Sequence, residues 1–174
     1  MVEAAALLVA ALLVVALSTT AVSGDKEPRR FKKHHVRYYA QLQGGAPGLA
    51  PGFLKPVNTS FSANFGAGTL FAFNLTKGVS RTSKQLGSVR GYTVETSFLG
   101  GNDSRLLEVA YIEWDDGRYA GTLQVQGLVQ VAKTEVAITG GSGSFRGARG
   151  YLVVTLAKND QPPFLTFAHD LYLF

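Results

Sequence analysis

From residue 36 onward the chain alternates repeatedly between apolar and polar positions. Residues 36–43 place Val36, Tyr38, Ala40 and Leu42 on one face and Arg37, Tyr39, Gln41 and Gln43 on the other. Successive side chains of a strand point to opposite sides, so this run predicts a half-buried strand. Residues 44–56 are rich in Gly and Pro and predict a long loop. Further strands are predicted over 66–75, 88–98, 105–114 and 118–128. A sixth starts at 135–138, and two more follow over 148–157 and 164–174. Turn residues separate them: Gly100-Gly101-Asn102-Asp103, Asp116-Gly117, Gly140-Gly141-Ser142-Gly143, Asn159-Asp160 and Pro162-Pro163. Asp-Gly between alternating runs is a strong hairpin signal. No helical period persists along the chain. Eight strands joined by short turns predict an all-β antiparallel meander, and eight strands are enough to close a small barrel.

The first residues read differently. Residues 4–17 are uncharged and apolar, too short for the ~20 residues of a membrane span. Ala21-Val22-Ser23 follows as a small-x-small cleavage pattern. Residues 1–23 are therefore expected to be a secretory signal peptide, with no membrane span after cleavage. Residues 24–35 are polar and basic and are expected to be a linker. Three N-x-[ST] sequons, at Asn58, Asn74 and Asn102, mark candidate glycosylation sites and agree with export.

Composition narrows the chemistry. The 174 residues include 20 Gly, 11 Phe and 7 Tyr, with only 17% charged residues against a usual ~25%. That balance favours strands and turns over a helical bundle. With no Cys, disulfides, thiolate metal sites and thiol nucleophiles are excluded. Lys+Arg 17 against Asp+Glu 12 gives a net charge of +5. Much of it lies in Lys26, Arg29, Arg30, Lys32, Lys33 and Arg37, opposed nearby by Asp25 and Glu27. No nucleic-acid module accompanies this run, so it reads as a solvated arm, with weak contact to an acidic polysaccharide as the alternative.

Of the histidines, His34 and His35 fall in the basic arm and are expected to be solvated. His169 falls in the last strand, opposite in parity to Asp170, and reads as structural. No His, Asp or Glu grouping has metal-ligand spacing, and no metal is expected. The glycine run at 140–143 lacks a phosphate-loop Lys and reads as a turn. The residues alone thus describe an exported barrel that binds a small, aromatic molecule, and they assign no catalytic residue.

Longer motifs add a resemblance. The segment 136–151, VAITGGSGSFRGARGY, resembles the signature of plant dirigent proteins. Leu86-Gly87-Ser88-Val89-Arg90-Gly91-Tyr92 and the hairpin 116–123, DGRYAGTL, resemble two further family regions in the same order. The likeness runs from about Arg37 to Phe174 and implies a dirigent-type eight-stranded antiparallel barrel over 36–174. It also implies secretion to the apoplast and assembly as a dimer or trimer. It implies binding of phenoxy radicals from monolignols such as coniferyl alcohol, made by a separate laccase or peroxidase. Coupling would be stereoselective, toward lignans, with no cofactor in the dirigent protein itself. A same-fold phenolic-binding or wall-associated barrel is the alternative. Carried over by motif, Tyr92, Arg146, Gln41 and Tyr39 are the candidate ligand-binding residues. Two family carboxylates are replaced, one by Gln41 and one within Gly127-Leu128-Val129. Gln cannot release a proton at neutral pH, so acid-dependent coupling is expected to be weak.

Export makes one direct prediction: N-terminal sequencing of secreted protein should begin at Gly24. A product starting at Met1 or retained in membranes would contradict it.

Overall fold

The computed structural model describes residues 29–45, 48–57, 63–97, 104–130, 132–159 and 163–174. These form nine strands: β1 (His35–Gln43), β2 (Leu49–Leu54), β3 (Gly68–Thr76), β4 (Gln85–Glu95), β5 (Leu106–Asp115), β6 (Ala120–Leu128), β7 (Thr134–Gly141), β8 (Gly150–Asn159) and β9 (Phe164–Leu173). They lie in the order β1-β9-β8-β7-β6-β5-β4-β3-β2, all pairs antiparallel. An additional pairing of β1 with β3 closes eight of them into a barrel, as the meander predicts. The leader and the sequons at Asn58 and Asn102 lie outside the described residues.

The ninth strand, β2, occupies the expected loop 44–56. Its Gly and Pro content obscured it, and the structure explains how they are tolerated. β2 pairs only with β3, so Pro51 sits on an edge where its missing N–H is harmless. Gly52 takes φ +76 where the register shifts between Pro51 and Leu54.

Period-two alternation sorts inside from outside. Tyr38 and Ala40 of β1, Ile112 and Trp114 of β5, and Leu123 and Val125 of β6 are buried. A bulge modifies this in β4, where Leu75 faces Gly87 but Thr76 faces Gln85. The extra residue, Leu86, is thereby turned into the core. Gly87 carries the bend at φ +144, and a Cβ there would stand 1.9 Å from the Glu113 carbonyl oxygen.

One barrel end is plugged. Phe31 packs its ring 4.9 Å from Tyr119 and 4.8 Å from Phe145, and its N–H donates to the Ser144 carbonyl at 2.8 Å. The basic segment is therefore anchored, not free. His35 is solvent-exposed, as expected, but it is not free. Its Nε2 lies 2.9 Å from Asp170 Oδ1, and its ring stacks on Tyr172 at 4.5 Å. Asp170 also takes two hydrogen bonds from Arg37, at 2.8 and 2.7 Å. The Arg37 hydrogen bonds hold the Asp170 carboxyl below its ordinary range.

Gly87→Ala is expected to cost about 2–3 kcal/mol in urea unfolding, since strain and a backbone collision combine. Gly117, at φ +84 with nothing near its Cβ position, should lose only about 1 kcal/mol as Ala. Equal losses would contradict the close approach at Gly87.

Candidate functional site

A cavity of about 350 Å³ opens in the barrel interior at the end opposite the Phe31 plug. That volume is at the low end of the ~300–1,000 Å³ range of small-molecule sites. Antiparallel register places it: the C-terminal half of β1, the start of β5 and the start of β9 all meet there. Its wall is mainly apolar, with Phe71, Phe73 and Phe167 among aliphatic neighbours. Phe71 and Phe73 stack at 5.2 Å with planes 16° apart, presenting a broad hydrocarbon surface.

Two titratable side chains face this apolar space, Glu108 and His169. Glu108 shares the inner face of β5 with Ala110, Ile112 and Trp114. Its strand neighbours are Thr93, also on the cavity wall, and Gly127, which contributes no side chain. Among the described residues Glu108 has no ion-pair or hydrogen-bond partner. Burial without a partner disfavours the charged form and pushes its pKa from 4.5 to about 7. His169 is buried, and its Nδ1 has no hydrogen-bond partner among the described residues. Burial lowers its pKa from 6.5 to about 4, against an opposing pull from Asp170. The His169 and Tyr38 ring centroids lie 5.0 Å apart with the planes 66° to each other, and the Tyr38 hydroxyl, its pKa raised by burial, also lacks a hydrogen-bond partner among the described residues.

Both shifts favour the neutral form of the two titratable groups at pH values between the two midpoints. A neutral carboxylic acid on a dry aromatic wall can donate a hydrogen bond or release a proton, and a neutral imidazole can accept either.

None of the four motif-derived candidates lines this cavity. Gln41 is buried but points to the other face of β1. Its amide nitrogen donates to Thr76 Oγ1 at 2.8 Å and to the Val79 carbonyl at 3.2 Å, and its Oε1 accepts from Thr166 Oγ1 at 2.9 Å. Tyr39 shares that outward face and is half-buried. Tyr92 is on the outward face of β4, 38% exposed, with Phe53 at 6.0 Å. Arg146 is exposed just after the 3-10 turn Gly143–Phe145, at the plugged end. Gln41 and Asn74 do meet in an outer groove, with Asn74 exposed on β3. Of the segment lacking the family acid, Val129 lines the cavity while Leu128 is exposed.

Sequence reading missed Glu108. Strand parity over 105–114 puts it on one face with Leu106, Ala110, Ile112 and Trp114, a lone charge on an apolar face. The signal was masked because the opposite face, Arg105, Leu107, Val109, Tyr111 and Glu113, also has three apolar residues and an acid.

A more fully buried carboxyl, Glu95, does different work. Burial raises its pKa, but bonds from Ser104 Oγ and the N–H groups of Ser97 and Arg105 outweigh this and lower it. It ties the end of β4 to the start of β5.

The fold is thus a closed antiparallel barrel, plugged at one end and holding at the other an aromatic-lined cavity in the size range of small-molecule sites. The chain belongs to the dirigent family: the Dirigent-like protein family model matches residues 34–174. It is 28% identical over 148 residues to Dirigent protein 1 of Arabidopsis thaliana, covering 83% of this chain and 79% of that protein. It is also 28% identical over 133 residues to Dirigent protein 24 of Arabidopsis thaliana, covering 73% of this chain but 43% of that relative. The chain thus spans less than half of that longer protein. Among solved structures, the pterocarpan synthase dirigent protein PsPTS1 is 25% identical with a TM-score of 0.64, covering 83% of this chain and 97% of that one. GePTS1, another pterocarpan synthase dirigent protein, has a TM-score of 0.65 at 22% identity, covering 88% of this chain and 97% of that one, and shares the fold.

The two cavity groups should leave opposite marks on stability. Glu108 titrates higher in the folded state than at its ordinary 4.5, so its contribution is complete below pH 4.5 and lost as pH rises through about 7. His169 titrates lower than its ordinary 6.5, so its contribution is complete above pH 6.5 and lost as pH falls through about 4. The slopes oppose each other between pH 4.5 and 6.5. Glu108→Gln removes one of them. Its Tm, relative to wild type, should therefore climb with pH across that window. Parallel Tm profiles for the two proteins would contradict the buried acid.

Proposed function

We propose that this protein is a dirigent protein that orients phenolic radicals in its barrel cavity while a separate laccase or peroxidase makes them. The substrate class is a phenylpropanoid, with monolignols such as coniferyl alcohol the first to test, and the product a lignan. The observation that carries this reading is Glu108, a half-buried carboxyl on the wall of an aromatic cavity, with no hydrogen-bond or ion-pair partner among the described residues and its pKa pushed up to about 7.

The chemistry follows in two stages. Two phenoxy radicals pair their unpaired electrons in one carbon–carbon bond, which needs no further oxidant. Orientation by Phe71, Phe73 and Phe167 selects which faces meet. The coupled product is a quinone methide, electrophilic at its benzylic carbon. Glu108 donates its proton to the quinone-methide oxygen as a side-chain hydroxyl attacks that carbon. The hydroxyl proton leaves to His169 or solvent, and Glu108 is reprotonated from water. The name of the 25%-identical neighbour, a pterocarpan synthase, agrees with ring-forming chemistry in a barrel of this kind.

Replacement of the family acid at Gln41 is compatible with this reading, because Gln41 is committed to Thr76 and Thr166 rather than to the cavity. Export, glycosylation and self-association are part of the proposal and come from the leader, the sequons and the family likeness.

Chiral chromatography of products from coniferyl alcohol, a laccase and this protein should show an enantiomeric excess. Glu108→Gln should slow stereoselective product formation by about 10²-fold while phenolic binding, read by isothermal titration calorimetry, is kept. A racemic product from wild type despite binding would favour a phenolic-binding barrel without coupling activity.

A further inference from the structure

The basic arm has no part in the cavity chemistry, yet the fold gives it a fixed place. Phe31 is pinned among Trp114, Tyr119 and Phe145, and this holds Arg30, Lys32 and Lys33 at the plugged end. All three are exposed. Distant parts of the chain bring more cations to the same end. Arg146 shares a small crevice with Arg30 and Phe31. Arg149 accepts the Phe174 N–H on its carbonyl at 2.9 Å beside that crevice, and its side chain is exposed. Arg118 lies 5.2 Å over the ring of Tyr119, itself packed on Phe31.

None of these six cations forms an ion pair among the described residues. The ion pairs that do occur there join His35 and Arg37 to Asp170, and Arg90 to Glu113. Among the described residues the nearby acids are Asp115 and Asp116. Asp115 and Asp116 are turned onto their own hairpin, accepting from Gly117 at 2.9 Å, and from Arg118 and Tyr119 at 2.8 Å each. Among the described residues this collar at the barrel rim therefore carries these six cations against two carboxylates, and none of the six forms an ion pair with either.

We propose that this collar docks the protein onto a carboxylated polysaccharide, a polyuronate. A rim of exposed Arg and Lys side chains suits a flexible polymer that offers carboxylates at short repeats. Arg forks pair with carboxylate oxygens, and several weak contacts add along one chain. The choice of a polysaccharide over a nucleic acid rests on the export reading, since an exported protein meets carboxylated matrix polymers. The geometry makes docking compatible with ligand binding. The collar and the cavity lie at opposite barrel ends, so a polymer on the rim leaves the cavity open.

The test is equilibrium binding of the full secreted chain to polygalacturonate, with the fully methyl-esterified polymer and duplex DNA as competitors. Binding should weaken by on the order of tenfold or more between about 50 and about 200 mM salt, as counterions compete. The quadruple variant K32Q/K33Q/R146Q/R149Q should lose roughly tenfold or more in affinity. Arg90→Gln, on the barrel side wall, should bind as wild type does, and K32Q/K33Q alone serves if the quadruple variant melts early. Competition by the methyl-esterified polymer equal to that by polygalacturonate would overturn the proposal. So would wild-type affinity in the collar variants, or displacement of polygalacturonate by less DNA charge than its own.

Discussion

Everything in this molecule depends on a short seam. Only three residue pairs join β1 to β3: Tyr39 to Thr76, Ala40 to Leu75 and Gln41 to Asn74. Without that seam the sheet would have a free edge at β1, and the interior would be an open face exposed to water. Gln41 reinforces it from within. Its amide bridges Thr76 of β3 and Thr166 of β9, both buried, so three strands share one satisfied polar cluster. A buried polar cluster is stabilising only when every member is paired, and here the amide uses both its oxygen and its nitrogen. A carboxylate at position 41 would have no proton to give to Thr76 and would bring a charge into the seam.

Closure also sets the electrostatics of the cavity. Once the barrel is shut and Phe31 seals one end, the remaining interior is too apolar to support a charge. Glu108 and His169 respond in opposite directions, the acid rising and the base falling, and both become neutral. Desolvation alone accounts for the Glu108 shift, which makes it sensitive to anything that wets or dries the cavity. An aromatic ligand filling the cavity would dry it further and raise the Glu108 pKa further. The pull that opposes desolvation at His169 comes from Asp170 on the outer face, which Arg37 and His35 hold ionised.

Much of this was legible in the sequence, for a physical reason. Alternation is strict where one face of a strand is buried, so β1 emerges from residues 36–43 with its correct inner face. The hairpin at Asp116-Gly117 emerges because its turn demands a positive φ, which Gly117 supplies at +84. β2 did not emerge, because an edge strand tolerates Pro51 and Gly52 that a central strand would reject. The placement of Tyr92 and Arg146 depends on which face of the barrel becomes the cavity, and that is fixed by the closed fold rather than by any local pattern. Glu108 was hidden for the same reason: only closure decides which of two similar faces of β5 is dry.

The central claim is that Glu108 is a neutral acid at the pH where phenolic radicals couple. A carbon-13 NMR titration of its carboxyl, in the full folded chain, tests this most directly. The account predicts a midpoint near 7, moved higher when a phenolic ligand fills the cavity. A midpoint near the ordinary 4.5, unchanged by ligand, would contradict it.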